Sequence, residues 1–243
     1  MEHWSTPQAL GDSSAAEAVR WWGKLGYPRR ARNLQRAAVD ITQRFGGEVP
    51  HRVDDLLSLP GVGHYTARAV ACFAFGQRHP VADTNVTRVI ARVDQGLAFG
   101  SHWSTTRGMA MVESTLKDVD DGDYPNMNLA IMELGALVCR ARSPRCDDCP
   151  LMAECAWREA GFPLDTAVMP KKQAPYAGSD REARGRLLEV LRNRSEPVGL
   201  SELLAAHSPA SQARRALDSL LADGLVSEDD PDEEPMFVLG DGR

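Results

Sequence analysis

Apolar residues recur at helical spacing along most of the chain before residue 160, and no stretch there alternates apolar and polar positions as a half-buried strand does. Ser14 followed by Glu17 reads as a capping box, opening a helix that runs through Val19 and Trp22 with Gly26 as its stop. Leu34, Ala38, Ile41 and Phe45 form the next stripe, ended by Gly46 and Gly47. Arg29, Arg30, Arg32 and Arg36 surround its start, as a solvated face or as a phosphate site. Val53 to Leu59 then breaks at Pro60-Gly61-Val62-Gly63, and an alanine-rich helix follows from His64 to Phe75, closed by Gly76. Asp83-Thr84-Asn85 opens a helix with Val86, Val89, Ile90 and Val93 on one face and Arg88 and Arg92 on the other. Two more helices are expected through Val112, Leu116 and Val119, and through Ile131, Leu134 and Val138.

Beyond Phe162 the pattern lapses, with three prolines and two lysines before Asp180. Helices are then expected around Leu187 to Leu191, from Ser201 to Ala206 and from Gln212 to Leu221, followed by Gly224-Leu225-Val226, an acidic turn and Met236 to Leu239. The chain therefore reads as a mainly α domain over residues 1–160, a linker over 161–180, and a winged-helix-like module over 181–243. Arg214 and Arg215 on the third of these helices could reach phosphates or a groove, although the acidic turn argues equally for protein docking or domain packing.

Composition narrows the class of function. The 243 residues carry 28 Lys and Arg against 34 Asp and Glu, a formal charge of −6, which argues against holding a polyanion through bulk field. The acidity is uneven, with 18 basic against 20 acidic residues up to position 170 and 10 against 14 beyond it. Any nucleic-acid contact must then be local and geometric. No apolar run is long enough to span a membrane and no signal-peptide pattern opens the chain, so a cytoplasmic location and no membrane partner are expected.

Four of the five cysteines fall between 139 and 155, too clustered for scattered core thiols and oddly numbered for a secreted disulfide framework. Cys139, Cys146, Cys149 and Cys155 are separated by six, two and five residues. Four thiolates suit tetrahedral zinc or an iron–sulfur cube. Zinc sites usually present two short knuckles across a long spacer, whereas here one short pair sits between two medium loops, which favours a single 4Fe-4S cluster. Cys72, on the apolar side of the alanine-rich helix, reads as a plain core residue.

Two further features carry candidate chemistry. Leu59-Pro60-Gly61-Val62-Gly63 joins two helices through a turn whose glycines let a phosphate approach backbone N–H groups, although such turns are also plain structure. Asp83 opens a helix, where the dipole favours negative charge. Most such aspartates are caps, but a carboxylate fixed there could also stabilise the positive charge that develops on a sugar when its bond to a base breaks.

The string LPGVGHYTARAV, then ADTNVTRVI, then the four cysteines at this spacing, resembles the endonuclease III and MutY superfamily of base-excision glycosylases from about residue 15 to residue 160. Trp21 to Ala38, WWGKLGYPRRARNLQRAA, looks like the corresponding stretch of MutY-type adenine glycosylases. The resemblance implies a helix-hairpin-helix glycosylase fold with a 4Fe-4S loop at 139–155. It implies an enzyme that acts as a monomer on double-stranded DNA holding adenine opposite 8-oxoguanine or guanine. Asp83 matches the aspartate that stabilises the oxocarbenium ion or helps activate water, and Asn85 and Tyr65 match residues around the sugar. Tyr65 stands where bifunctional members keep a lysine nucleophile, so hydrolysis without strand cleavage is expected. Arg140, Arg142 and Arg145 match the loop that presents basic side chains to DNA.

The resemblance also implies an N-terminal helix, approximately E-x-M-L-Q-Q-T, whose glutamate protonates the departing adenine; nothing in this chain matches it. Either the start lies upstream of Met1 or the protein is shortened, and the first is the expectation. Loss of a general acid costs about 10²–10⁴ in rate. Two alternatives to an adenine glycosylase follow: a lesion-binding protein without the acid, and a thymine or uracil mismatch glycosylase.

Overall fold

Pro28, with φ held near −59°, starts a helix whose apolar stripe needs one side covered, and Gly46 at φ +63° ends it. This helix, α3 (Arg29–Phe45), is the longest of a mainly helical chain. The computed structural model describes residues 3–99, 104–164, 174–229 and 235–241. Residues 165–173 of the expected linker and 230–234 of the acidic turn lie outside the described residues.

Before α3 come α1 (Pro7–Gly11) and α2 (Ala15–Trp22). Ser14 caps α2 by accepting from Glu17 N at 3.0 Å, but the reciprocal half of the box is spent elsewhere: the Glu17 carboxylate meets His3 at 2.8 Å. The stop is Gly23 at φ +58°, three residues before the expected Gly26. After α3 follow α4 (Val53–Leu57), α5 (His64–Phe73), α6 (Thr84–Gln95), α7 (Thr105–Thr115) and α8 (Tyr124–Leu137). A single 3-10 turn at Cys146–Asp148 and the short α9 (Ala156–Glu159) lie in the cysteine loop.

The remaining elements are α10 (Asp180–Arg192), β1 (Val198–Gly199), α11 (Leu200–Ala205), α12 (Ala210–Ala222), β2 (Val226–Asp229) and β3 (Met236–Leu239). The three expected helices and terminal hairpin are present, with one addition. Val198 and Gly199 pair with Phe237 and Met236, so the antiparallel sheet has three strands in the order β1-β3-β2. Two residues carry no readable period, and β1 exists because β3 offers it a free edge.

The chain forms two compact units. One comprises residues 1–50, 59–61 and 173–243; the other comprises 51–58 and 62–172. In the first, Val19 and Ala31 join Leu187, Leu191, Leu217, Leu220 and Phe237 in one buried cluster. Polar ties support this grouping of residues 1–50 with the C-terminal module. Lys24 pairs with Glu189 at 3.1 Å, Arg29 with Asp223 at 2.9 Å, and Arg192 donates to Val19 O at 3.2 Å.

In the second unit, Val86, Val89 and Ile90 of α6 pack with Val81, Val112, Leu116, Tyr124 and Ile131. Each such side chain is worth about 1.5–3 kcal/mol when fully buried. Cys72 is fully buried in the same cluster, as a core cysteine would be. Asn128, also fully buried, faces the backbone of Val81 and satisfies both its groups, donating to the carbonyl at 3.1 Å and accepting from the amide at 3.3 Å. That pairing fixes the segment entering α6. No helix among the described residues is long and apolar enough to cross a membrane.

Candidate functional site

Asp83 is the N-cap of α6, as its position before the apolar stripe predicted. Its Oδ1 accepts from the backbone N–H groups of Asn85 at 2.8 Å and Val86 at 2.7 Å. Its Oδ2 accepts from Asn85 Nδ2 at 3.1 Å. One oxygen is thus committed to the helix end, while the other takes a single side-chain hydrogen bond and keeps acceptor capacity. Tyr65, on α5, is 42% exposed, and its phenol is pushed up from its ordinary value by burial first and then by the Asp83 charge. The hydroxyl therefore stays a neutral donor well past neutral pH.

Asn85 is held from behind. Arg88, 8% exposed, donates from Nη2 to Asn85 Oδ1 at 2.8 Å and to Gly135 O at 2.6 Å. Its Nε donates to Cys139 O at 2.8 Å and its Nη1 to Thr84 O at 3.2 Å. Gly135 is there because nothing larger fits: a Cβ would lie 2.8 Å from the Asn85 backbone oxygen. One guanidinium so connects the cap of α6 to the end of α8 and the first residue of the cysteine loop.

The turn Leu59-Pro60-Gly61-Val62-Gly63 lies between α4 and α5, at the point where the chain passes from one unit to the other. Leu59 is buried, and Gly61 takes φ +76°. A Cβ at Gly61 would meet Asn33 at 2.6 Å, so both conformation and space demand glycine. Gly63 is the N-cap of α5 with no side chain to cap it, leaving the first-turn N–H groups open to an outside acceptor.

Cys139, Cys146, Cys149 and Cys155 line one cavity together with Val89 and Arg92. Cys139 follows α8, Cys146 opens the 3-10 turn, and Cys155 caps α9, so local turns aim all four inward. Burial pushes the Cys146 and Cys149 thiols up, and the neighbouring cysteines add to that shift in both. Among the described residues no three His, Cys, Asp or Glu side chains converge closely enough to hold a single ion. Four soft sulfurs lining one cavity are the residues of this unit that could hold a metal centre.

Arg92, 2% exposed, closes this cavity. It donates from Nη1 to Cys139 Sγ at 3.3 Å and to Arg140 O at 2.9 Å, and from Nε to Ala98 O at 3.0 Å. The Trp157 ring lies 4.3 Å from its guanidinium carbon. The loop arginines are exposed but differently employed. Arg140 donates to Ser143 O at 3.0 Å, and Arg145 donates to Leu137 O at 3.2 Å and approaches Asp148 at 3.6 Å. Arg142 makes no ion pair among the described residues.

The amphipathic reading of α6 placed Arg88 and Arg92 on its solvent face, and burial overturns that. The signal was available. The residues three and four positions before and after each arginine include no carboxylate that could pair with it in water. Such arginines must find acceptors elsewhere, and these find carbonyls and a sulfur. Arg214 and Arg215 pair with Asp218 at 3.4 Å and Asp180 at 3.7 Å.

A helix-hairpin-helix motif model matches residues 44–73. An adenine DNA glycosylase of Mycolicibacterium smegmatis is 49% identical over 229 residues, 94% of this chain and 76% of that protein. The human adenine DNA glycosylase is 39% identical over 161 residues, 65% of this chain and 29% of that protein. Among solved structures, a thermostable thymine-DNA glycosylase superposes with TM-score 0.58 at 28% identity, covering 65% of this chain and 72% of that one. A trapped endonuclease III–DNA covalent intermediate superposes with TM-score 0.55 at 29% identity, covering 67% and 74%.

Proposed function

From the premise that this chain belongs to the adenine DNA glycosylases, a family of base-excision repair enzymes, we propose that it hydrolyses the N-glycosidic bond of adenine mispaired with 8-oxoguanine or guanine in double-stranded DNA. The observation that carries the chemistry is the unequal use of the two Asp83 oxygens.

Adenine must leave the stack to be reached. As its bond to C1′ lengthens, positive charge grows on the sugar ring, and Asp83 Oδ2, already aimed by Asn85, offsets that charge. Water then adds to C1′ and gives up a proton, while the departing base gains one. Asp83 or a water it orients accepts the first. The second is assigned, by resemblance, to a glutamate in a stretch that no residue of this chain matches. The neutral Tyr65 hydroxyl can hydrogen-bond but cannot form a Schiff base, which supports hydrolysis without strand cleavage.

Cys139, Cys146, Cys149 and Cys155 would hold the 4Fe-4S cluster that endonuclease III-like relatives suggest. When bound, such a group cross-links a loop with little regular structure and supplies a redox couple. The backbone N–H groups after Gly63 and the exposed Arg140 and Arg142 would meet phosphates.

The test is single-turnover release from duplexes carrying adenine opposite 8-oxoguanine, adenine opposite guanine, thymine opposite guanine, and uracil opposite guanine. It is run with this chain. Adenine release is the expected result. Release of thymine or uracil in preference to adenine, or duplex binding without release, would overturn the proposal.

A further inference from the structure

The arginines at the start of α3 take no part in the site above, and the first unit gathers them with others. Between residues 23–30 and α10 lies a cleft of about 800 Å³. Lys24, Arg29 and Arg30 line one side of it, and Arg181, Arg184, Arg186 and Arg192 line the other. In a protein of formal charge −6 this is a strong local reversal.

The seven cations are only partly neutralised. Asp223 takes both Arg29, at 2.9 Å, and Arg184, at 2.5 Å. Glu189 pairs with Lys24 at 3.1 Å and shares Arg186, at 3.8 Å, while Glu182 approaches Arg186 at the same distance. Arg30 and Arg181 have no carboxylate partner among the described residues; Arg30 stands over the Trp22 ring at 5.9 Å and Arg181 donates to Ala174 O at 2.7 Å. Three carboxylates against seven cations leave an excess of four positive charges in one groove.

Shape and chemistry select the occupant. From Arg181 to Arg192 the helical rise spans roughly 16 Å, the length of several consecutive phosphates on one DNA strand. Guanidinium groups fit phosphate oxygens through paired N–H donors, and a polyanion relieves the mutual repulsion of the row. Tyr176, 58% exposed, adds a flat face to the wall.

We propose that this cleft is a second seat for the backbone of double-stranded DNA, with Arg30, Arg181 and Arg186 holding phosphates apart from those met by the helix-hairpin-helix turn. The C-terminal module thereby adds affinity without reading sequence. The inference rests on the DNA-repair reading above, but its test does not depend on catalysis.

The experiment measures binding of the full chain to an adenine:8-oxoguanine duplex by fluorescence anisotropy across a salt series. Arg30→Ala, Arg181→Ala, Arg186→Ala and the triple variant are compared with Lys117→Ala, which removes an exposed cation of the other unit and lowers net charge by as much as each single variant. Each lost phosphate contact should reduce the slope of log affinity against log salt by about 0.9, so the triple variant should lose about 2 to 3. Lys117→Ala should leave the slope unchanged. A triple variant that unfolds normally on heating and keeps the parental slope would overturn the proposal, as would an equal loss in Lys117→Ala. Should the triple variant misfold, the single variants decide by the same slopes. Adenine release by the parent reports separately on the catalytic reading: no release with a cleft-dependent slope would sink that reading alone.

Discussion

Arg88 holds Asn85 by a 2.8 Å hydrogen bond from Nη2 to Oδ1, and the same guanidinium reaches the Cys139 carbonyl at 2.8 Å. The amide that aims Asp83 Oδ2 is therefore set by a group that also senses the cysteine loop. Arg88→Met should lower single-turnover adenine release by about 10–100-fold, the usual scale for losing an orienting partner. Duplex affinity should change far less. A loss confined to binding would show that Arg88 does not position the site.

Asp83→Asn tests the sugar-stabilising role itself. Asparagine caps helices about as well as aspartate, so thermal stability should change little. Base release should fall by about 10²–10³ or more, because a neutral amide cannot offset the developing charge. Unchanged release would remove Asp83 from the chemistry.

Gly135→Ala reverses an ordinary rule. Within a helix this substitution normally stabilises by about 0.5–1 kcal/mol. Here the new methyl would lie 2.8 Å from the Asn85 carbonyl, so α8 must shift away from α6. Both the unfolding temperature and adenine release should fall, whereas a rise in the unfolding temperature would show that the two helices are free to part.

Arg92→Leu removes a buried cation and leaves the acceptors at Ala98 O and Arg140 O without their donor. The expected cost is about 3 kcal/mol or more, read by chemical unfolding. Because Nη1 also donates to Cys139 Sγ, purified protein should carry less iron and acid-labile sulfide per chain. Full iron content at parental stability would contradict that role.

His79 gives the structure a pH dependence in mild acid. Burial first, and then the Arg68 charge, lowers its folded pKa, with Glu113 opposing. The unfolded chain therefore takes up a proton before the folded one does. Stability should be complete above about pH 6.5, the ordinary histidine value, and decline as pH falls below it. His79→Asn should flatten that part of the stability profile, to be followed by thermal unfolding between mild acid and neutrality. An unchanged profile would place the dependence on another group.

Much of the site could be read along the chain because its determinants are local. The four cysteines lie within one loop, the glycines of 59–63 form one turn, and Asp83 meets the N–H groups of the helix it opens only two and three residues away. Such features are set by backbone geometry over a few residues, and neighbours far along the chain need not be known. The helical stripes of α3 and α6 were legible for the same reason.

What only the tertiary structure decided is long-range. Arg88 and Arg92 carry the same charge whether solvated or buried, and their fate rests on acceptors 47 to 51 residues away at Gly135, Cys139 and Arg140. Gly135 has no reason to be glycine until Asn85 lies against it, and β1 is no strand until β3 supplies an edge. The basic cleft joins residues more than a hundred and fifty positions apart, so no window of sequence displays its charge. The local pattern determined which groups exist and which way they face their own turn. Packing between distant segments determined which of them lost water, and a buried polar group must find a partner that only the folded chain can bring.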